Sequence, residues 1–135
     1  MEMGADACDG PMPIALDTPV RGSTVGLGSN HGARCGSLAA SPEVAYLFRP
    51  LVAGPVCVTT AQSSFDTVLH IREAACADDR AEVACNDDES GEFGIAQENN
   101  STLELNAEAN TAYYVFVDGY GANSSGDYVL EVRSN

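Results

Sequence analysis

Short stretches that favour β-strands run along this chain, and turn-forming residues separate them. Residues 44–49 (VAYLFR), 56–61 (VCVTTA) and 112–118 (AYYVFVD) are rich in β-branched and aromatic side chains, which suit a pleated, half-buried surface. Residues 102–105 (TLEL) and 127–133 (DYVLEVR) alternate apolar and polar positions, as a strand with one solvated face does. Together these patterns predict strands at 14–16, 20–27, 44–49, 56–61, 68–73, 83–85, 102–105, 112–118 and 127–133, and they leave a further strand at 93–96 open.

The spacing of these strands predicts the fold class. They recur at intervals of roughly 8–15 residues with turn-forming residues between them, and no stretch keeps a helical period over about ten residues. We therefore predict an all-β fold, an antiparallel sandwich or barrel, in a single domain over residues 1–135 with residues 1–12 as an irregular lead-in. A helix over residues 73–84 is the alternative, and it rests on the Ala and Glu content of that stretch.

The composition is strongly acidic, which limits the classes of partner. Twenty Asp and Glu residues stand against six Arg and no Lys, giving a formal net charge of −14. This charge argues against nucleic acid and anionic membrane surfaces as partners. It is compatible with cation binding, or simply with solubility. No apolar run approaches the roughly 20 residues that span a bilayer, so no membrane span is expected.

Cysteine usage indicates the compartment. Five Cys in a small, acidic, loop-rich chain are typical of an oxidising environment. The N-terminal residues MEMGADACDG have neither a basic region nor an apolar core, so they do not form a signal peptide. Both observations agree if the chain is a mature segment of a longer protein that is secreted or held at the cell surface. Neighbouring domains of that protein would then be its first partners.

Five blocks of sequence, taken in order and with their spacing, resemble one known domain family. The blocks are FDTVLHIRE at 65–73, Cys76, EVACNDD at 82–88, YYVFVDGYG at 113–121 and SGDYVLEV at 125–132. In this arrangement the chain resembles the bacterial pre-peptidase C-terminal domain over residues 43–133. The resemblance implies a compact jelly-roll-like β-sandwich. It also implies a non-catalytic accessory module of a secreted or surface protein, one that binds or presents a protein or polysaccharide substrate or aids folding and secretion.

Calcium is the cofactor that this resemblance suggests. In collagenase-linked relatives such modules bind calcium and help to engage substrate, and their calcium ligands lie mainly in an acidic N-terminal motif. This chain has Glu2, Asp6 and Asp9 near its start but lacks that motif. No ligand can therefore be carried over residue by residue, and a calcium site has to be argued from the acidic residues themselves.

Four acidic residues are the candidates for such a site. Asp66, Asp87, Asp88 and Asp118 each lie at the end of a predicted strand or just beyond one. Calcium takes six to eight oxygen ligands, several of them from carboxylates, and Asn86 could add one. These four Asp residues are therefore named as candidate ligands of a structural calcium ion. The alternative, which we prefer, is that they bond to their own backbone and form turns.

Two disulfides are expected from the five cysteines. Cys76 and Cys85 bracket a short loop between two predicted strands, and a bridge between them would close a loop of about ten residues. We pair Cys8 with Cys35 because both lie in loop-like sequence, and Cys35 with Cys57 is the alternative. Cys57 itself lies within a strand pattern and is interpreted as a small core residue.

Candidate ligand-binding and catalytic residues are few. Tyr120 follows a strand in a Gly-rich loop and is a candidate contact for a sugar or a peptide, with packing inside the protein as the alternative. His31 lies in a Gly-rich loop, and strand alternation places His70 as a surface or edge residue. No nucleophile elbow or other placed catalytic motif accompanies either His. We therefore expect that the chain is not an enzyme, and a small secreted hydrolase is the alternative.

Overall fold

A computed structural model folds the strand-rich stretches into two β-sheets that pack face to face. It describes residues 8, 10–26, 42–60, 63, 65–86, 101–119 and 125–134. Within these residues the strands are β1 (Met12–Pro13), β2 (Val20–Ser23), β3 (Val44–Phe48), β4 (Gly54–Thr59), β5 (Thr67–Glu73), β6 (Glu82–Asn86), β7 (Thr102–Ala107), β8 (Tyr113–Gly119) and β9 (Asp127–Ser134). The predicted all-β sandwich is confirmed, and the open strand at 93–96 lies outside the described residues.

The order of the strands explains how the chain moves between the sheets. One sheet has five strands in the order β1-β3-β8-β5-β6, and the other has four in the order β2-β9-β4-β7. Neighbouring strands are antiparallel, except that β1 runs parallel to β3. The chain changes sheet at every connection except the one between β5 and β6. The connections from β1 to β2 and from β3 to β4 are two of these crossings, and they bring residues 14–16 and 49–52 to one end of the sandwich.

The region between β5 and β6 is a hairpin, so the helix alternative for residues 73–84 is wrong. β5 continues to Glu73, β6 begins at Glu82, and a short 3-10 turn at Asp79–Ala81 lies between them. β5 pairs with β8 on one side and with β6 on the other. Pairing and burial in the sheet therefore outweigh the modest helix propensity of the Ala and Glu residues.

Alternate residues of both sheets fill the space between them. Leu69 and Ile71 of β5 and Val115 of β8 are fully buried there, and they belong to the same cluster as Val58 of β4 and Leu130 of β9. Burial of these branched apolar side chains is the main favourable contribution to folding. The inward positions follow the period of two that the sequence predicts for its strands.

Two tyrosines join the sheets across this core. Tyr46 of β3 and Tyr128 of β9 place their hydroxyl oxygens 2.6 Å apart in a buried hydrogen bond. Their rings meet edge to face with centroids 6.2 Å apart. Gly22 of β2 leaves room for this contact, because a Cβ atom there would lie 2.5 Å from the Tyr128 hydroxyl oxygen. Each buried hydroxyl therefore has a partner in the opposite sheet.

The outer face of the five-stranded sheet is buried as well. Val68, His70 and Arg72 of β5, together with Phe116 and Asp118 of β8, are at most 2% exposed. These residues alternate along their strands with those of the core, so they point away from the four-stranded sheet. The sandwich therefore has a second buried layer, which is partly polar.

The disulfide pairing differs from the predicted one. Cys8 is bonded to Cys76, with their Cα atoms 5.7 Å apart, so the predicted pairs Cys76–Cys85 and Cys8–Cys35 are both wrong. In the hairpin register Cys85 lies opposite His70, six positions before Cys76, so the two cysteines are not paired across the hairpin. Closeness in the sequence therefore did not identify the partner of Cys76.

The other three cysteines are Cys35, Cys57 and Cys85. Cys85 is also disulfide-bonded, and Cys35 lies outside the described residues. Cys57 is buried on β4 and is not part of a disulfide. Its interpretation as a small core residue is therefore confirmed, and the alternative pair of Cys35 with Cys57 is wrong.

Candidate functional site

The carboxyl groups of Glu43, Asp66 and Asp118 lie at one end of the five-stranded sheet, which we call the acidic end. Val68 of β5 is paired with Asp118 of β8, and Asp66 is two positions before Val68 on the same face. β3 begins one residue after Glu43, and its register with β8 places Glu43 beside Asp118. Two of the four candidate calcium ligands, Asp66 and Asp118, therefore lie at this end.

Asp118 is a buried carboxyl group with a perturbed pKa. Burial raises the pKa of Asp118 to about 8, because desolvation disfavours the charged form. The backbone N–H of Gly119 donates to its Oδ1 at 2.8 Å and lowers the pKa, the charge of Glu43 raises it, and the charge of Arg72 lowers it. Desolvation outweighs the others, so without a bound cation this carboxyl group keeps its proton at pH 7.

The calcium prediction stays a prediction. Asp87 and Asp88, the other two candidate ligands, lie outside the described residues. Within the part of the chain that the structure describes, no three His, Cys, Asp or Glu side chains are grouped closely enough to hold a metal ion. Asn86 Oδ1 accepts a hydrogen bond from the backbone N–H of Thr102 at 3.2 Å, so it joins two strands.

Hydroxyl groups close the gap between the sheets at the acidic end. The Oγ1 atoms of Thr60 and Thr67 are 2.7 Å apart, and Thr67 Oγ1 is 3.2 Å from Ser101 Oγ. The Ser101 hydroxyl donates to the carbonyl oxygen of Thr67 at 2.8 Å, and the Ser101 N–H donates to Thr60 Oγ1 at 2.9 Å. All three residues are fully buried. This end of the sandwich is therefore held shut by paired polar groups.

His70 is buried, so its predicted place as a surface or edge residue is wrong. Its ring stacks on Phe116 with centroids 4.4 Å apart and planes 10° apart. The guanidinium carbon of Arg72 lies 5.0 Å from the centroid of the same Phe116 ring, and Arg72 donates to the carbonyl oxygen of Cys76 at 2.7 Å. A fully buried imidazole packed in this way gives a substrate no access. His31 lies outside the described residues.

An open groove lies at the opposite end of the five-stranded sheet, which we call the groove end. The groove has a volume of about 420 Å³ and lies between two of the segments that cross from one sheet to the other, residues 14–16 and 49–52. Phe48 and Val56, which belong to the core, form its buried side. The groove therefore ends on the core of the sandwich, whereas hydroxyl groups close the acidic end.

The edges of the groove are apolar and exposed. Leu51 is 84% exposed and Val52 is 80% exposed, on the segment that leads from β3 to β4. Leu16, on the segment that leads from β1 to β2, is 42% exposed and lies on the same groove. Covering an exposed apolar patch of this kind removes apolar surface from water, which favours binding of an apolar group.

Backbone hydrogen bonds fix the segment that carries Leu16. The N–H of Asp17 donates to the carbonyl oxygen of Val132 at 2.6 Å, and the N–H of Ile14 donates to Leu47 at 3.0 Å. The carboxylate of Asp17 accepts from both the N–H and the hydroxyl of Ser134, each at 2.8 Å. These bonds also lower the pKa of the Asp17 carboxyl. This side of the groove is thus tied to both sheets.

The segment that carries Leu51 and Val52 is anchored at its start. The N–H of Asn110 donates to the carbonyl oxygen of Pro50 at 2.7 Å. Arg49 Nη1 in turn donates to the carbonyl oxygen of Asn110 at 3.3 Å. Asn110 has a φ of 62°, in the left-handed region that Asn tolerates better than most residues. Both sides of the groove are therefore positioned by the β-framework before any ligand binds.

Arg49 is the charged residue of the groove. Among the described residues that line it, the others are Ile, Ala, Leu, Phe, Pro and Val. Arg49 is exposed, and it forms no ion pair with the part of the chain that the structure describes. A guanidinium group has five N–H donors, and the bond to Asn110 uses one of them. The groove can therefore bind an apolar group together with an anion.

Reasoning from the sequence missed this groove. Tyr120, the predicted ligand contact, lies outside the described residues, as do Asp87 and Asp88. The other two acidic candidates, Asp66 and Asp118, lie at the acidic end. The available signal was the pair Leu51 and Val52, which stands between Pro50 and a Gly-Pro turn where polar residues are usual. An apolar pair in a turn indicates either a buried loop or an exposed contact, and the sequence does not distinguish them.

Comparison with known proteins supports the fold. No protein-family model matches the sequence, and the search of curated proteins finds no match. Among solved structures, the chain is similar to the pre-peptidase C-terminal domain of collagenase from Bacillus anthracis. The TM-score is 0.59 and the identity 19%, over 91% of this chain and 94% of that chain. In the described residues, no helix is long and apolar enough to cross a membrane. The resemblance seen in the sequence blocks is thus confirmed for the fold, and this chain has the β-sandwich of a pre-peptidase C-terminal domain.

Proposed function

We propose that the chain is a non-catalytic accessory module of an exported protein and that it binds a protein or polysaccharide through the groove. The groove carries this proposal, because several exposed apolar side chains, those of Leu16, Leu51 and Val52, line one cavity there on segments that hydrogen bonds hold to the sheets. The carboxyl group of Asp118 and the imidazole of His70 are instead buried inside the protein. Chemistry on a substrate needs reactive groups that the substrate can reach.

Export and an accessory role have separate support. A disulfide between Cys8 and Cys76 suits an extracytoplasmic location, where thiols are oxidised. The similar solved structure is a domain of a collagenase, which is a multidomain context for the same fold. Neighbouring domains of a longer protein are accordingly the partners we propose first.

Binding to solid substrates tests the proposal. The wild-type domain and the variants Leu51→Asp and Val83→Asp would be sedimented with fibrillar collagen, cellulose, chitin and peptidoglycan. Val83 is a matched control, because it is 50% exposed on β6, away from the groove. We expect at least one material to retain the wild type and Val83→Asp and to lose Leu51→Asp. Retention of none, or equal retention of all three proteins, would reject the groove as the binding site.

A further inference from the structure

The chemistry of the groove identifies a ligand class, and this inference rests on the proposed binding function. We propose that the groove binds a protein segment in which a bulky apolar side chain stands next to a carboxylate. The apolar side chain enters between Leu16 and the pair Leu51 and Val52, above Phe48. The carboxylate pairs with the guanidinium group of Arg49.

The apolar part of the ligand follows from the lining. A volume of about 420 Å³ falls in the range of ligand pockets. A sugar would need an accessible aromatic face to stack on, and Phe48, the aromatic residue among the described residues of the lining, is only 3% exposed. A Leu, Met or Phe side chain of a protein needs no such face. It gains instead by removing Leu51 and Val52 from water.

The carboxylate follows from Arg49. The guanidinium fork matches the two oxygens of a carboxylate, and its bond to Asn110 leaves further N–H groups to donate. A positive charge beside an apolar groove is complementary to an acidic group attached to the apolar anchor. The same groove would reject a basic neighbour at that position by like-charge repulsion.

The net charge disfavours a second copy of this chain as the occupant. Two copies would each bring a formal charge of −14, and this repulsion opposes their association. Anionic membrane surfaces are disfavoured for the same reason. The occupant we propose is therefore a segment of a different protein chain whose overall charge is neutral or basic.

Peptide selection tests this ligand class without assuming a sequence. Random dodecapeptides displayed on phage would be selected on the immobilised wild-type domain and depleted on Leu51→Asp. We expect enrichment of sequences that pair a large apolar residue with an adjacent Asp or Glu. No enrichment, or enrichment without the acidic residue, overturns the proposal.

A matched comparison then tests the role of Arg49. One selected peptide and its acid-to-amide analogue (Glu→Gln or Asp→Asn) would be titrated into the wild type, Arg49→Gln and Arg21→Gln, with melting curves to show that each is folded. For the wild type and for Arg21→Gln, we expect the acid peptide to bind about threefold more tightly than the amide peptide. For Arg49→Gln, we expect the two peptides to bind equally well. Arg21 is exposed on β2 and does not line the groove. An undiminished preference in Arg49→Gln overturns the assignment.

The two proposals can fail separately. If Leu51→Asp loses binding to a solid substrate but no apolar and acidic peptide is selected, the groove binds another class of ligand and only this inference is wrong. If Leu51→Asp binds every material and every peptide as the wild type does, both proposals are wrong.

Discussion

The two ends of the five-stranded sheet are formed by the same strands but differ in which side chains they bury. One end buries polar groups, and the other exposes apolar ones. At the acidic end, Asp118 and the hydroxyl groups of Thr67 and Ser101 are buried, and each hydroxyl has a hydrogen-bond partner. At the groove end, about 20 Å away along β3, Leu51 and Val52 are left in water. The first end buries polar groups, which therefore affect stability. Among the described residues, the second end leaves apolar groups exposed, and a ligand can cover them. Changes at the two ends should therefore affect different measurements.

The largest expected effect is the pH dependence that Asp118 gives to stability. Between its unfolded pKa of 3.8 and its folded pKa of about 8, the folded state holds a proton that the unfolded state has lost. The stabilisation that comes from this bound proton is fully present below about pH 4, decreases as the pH rises and is lost above about pH 8. Its upper limit is on the order of 5 kcal/mol.

Urea unfolding at pH 5, 7 and 9 measures this dependence. Between pH 5 and pH 9, the free energy of unfolding should fall by several kcal/mol less in Asp118→Asn than in the wild type, because the amide does not ionise. Asp127→Asn, at an exposed position of β9, should follow the wild type. Parallel pH profiles for the wild type and Asp118→Asn would show that Asp118 is ionised in the folded protein, and the closed acidic end would then need another explanation.

The hydroxyl cluster gives the next largest effect. Thr67→Val keeps the shape of the side chain but leaves Thr60 and Ser101 without one partner, so unfolding should be easier by about 1–3 kcal/mol. The comparison is Thr111→Val near the groove end, where the hydroxyl makes an exposed bond to Ala109 and its loss should cost under about 0.5 kcal/mol. Equal costs for the two variants would remove the distinction between the ends.

Leu51→Asp should change binding and hardly change stability. Its side chain is already in water, so the free energy of unfolding should shift by less than about 0.5 kcal/mol. Binding of a selected peptide should weaken about tenfold, since the variant removes apolar contact and adds a charge that opposes the carboxylate of the ligand. A large fall in the melting temperature of Leu51→Asp would instead show that Leu51 is structural.

Calcium should have the smallest effect. Burial raises the pKa of Asp118 to about 8, which disfavours the carboxylate form that binds calcium, and the described residues provide no group of three metal ligands. We therefore expect the melting temperature in calcium and in EDTA to agree within about 1 °C. A rise of several degrees in calcium that disappears in Asp118→Asn would make the acidic end a cation site, with the resemblance to calcium-binding relatives extended to this chain.

The strands of the fold were predictable because each one depends on a pattern of neighbouring residues in the sequence. Alternation along residues 127–133 and the β-branched content of residues 112–118 specify strands whichever partners they find. The partners of the cysteines were not predictable in this way. Cys76 lies close to Cys85 in sequence, but it is bonded to Cys8, 68 positions away.

The two ends of the sheet were harder to predict for a different reason. Alternation placed His70 on the outer face correctly, but it does not show whether that face is covered. The groove arises where residues 14–16 and 49–52 come together, and these segments are far apart in the sequence. Only the strand order brings them to one end of the sandwich.

The central claim is that this domain recognises its ligand at the groove end. The most direct test is to titrate the isotopically labelled domain with a selected peptide and follow methyl signals by NMR. We predict that the signals of Leu16, Leu51 and Val52 shift together and saturate, while those of Thr60 and Thr67 at the acidic end stay in place. Shifts confined to the acidic end, with the groove signals unchanged, would contradict the claim.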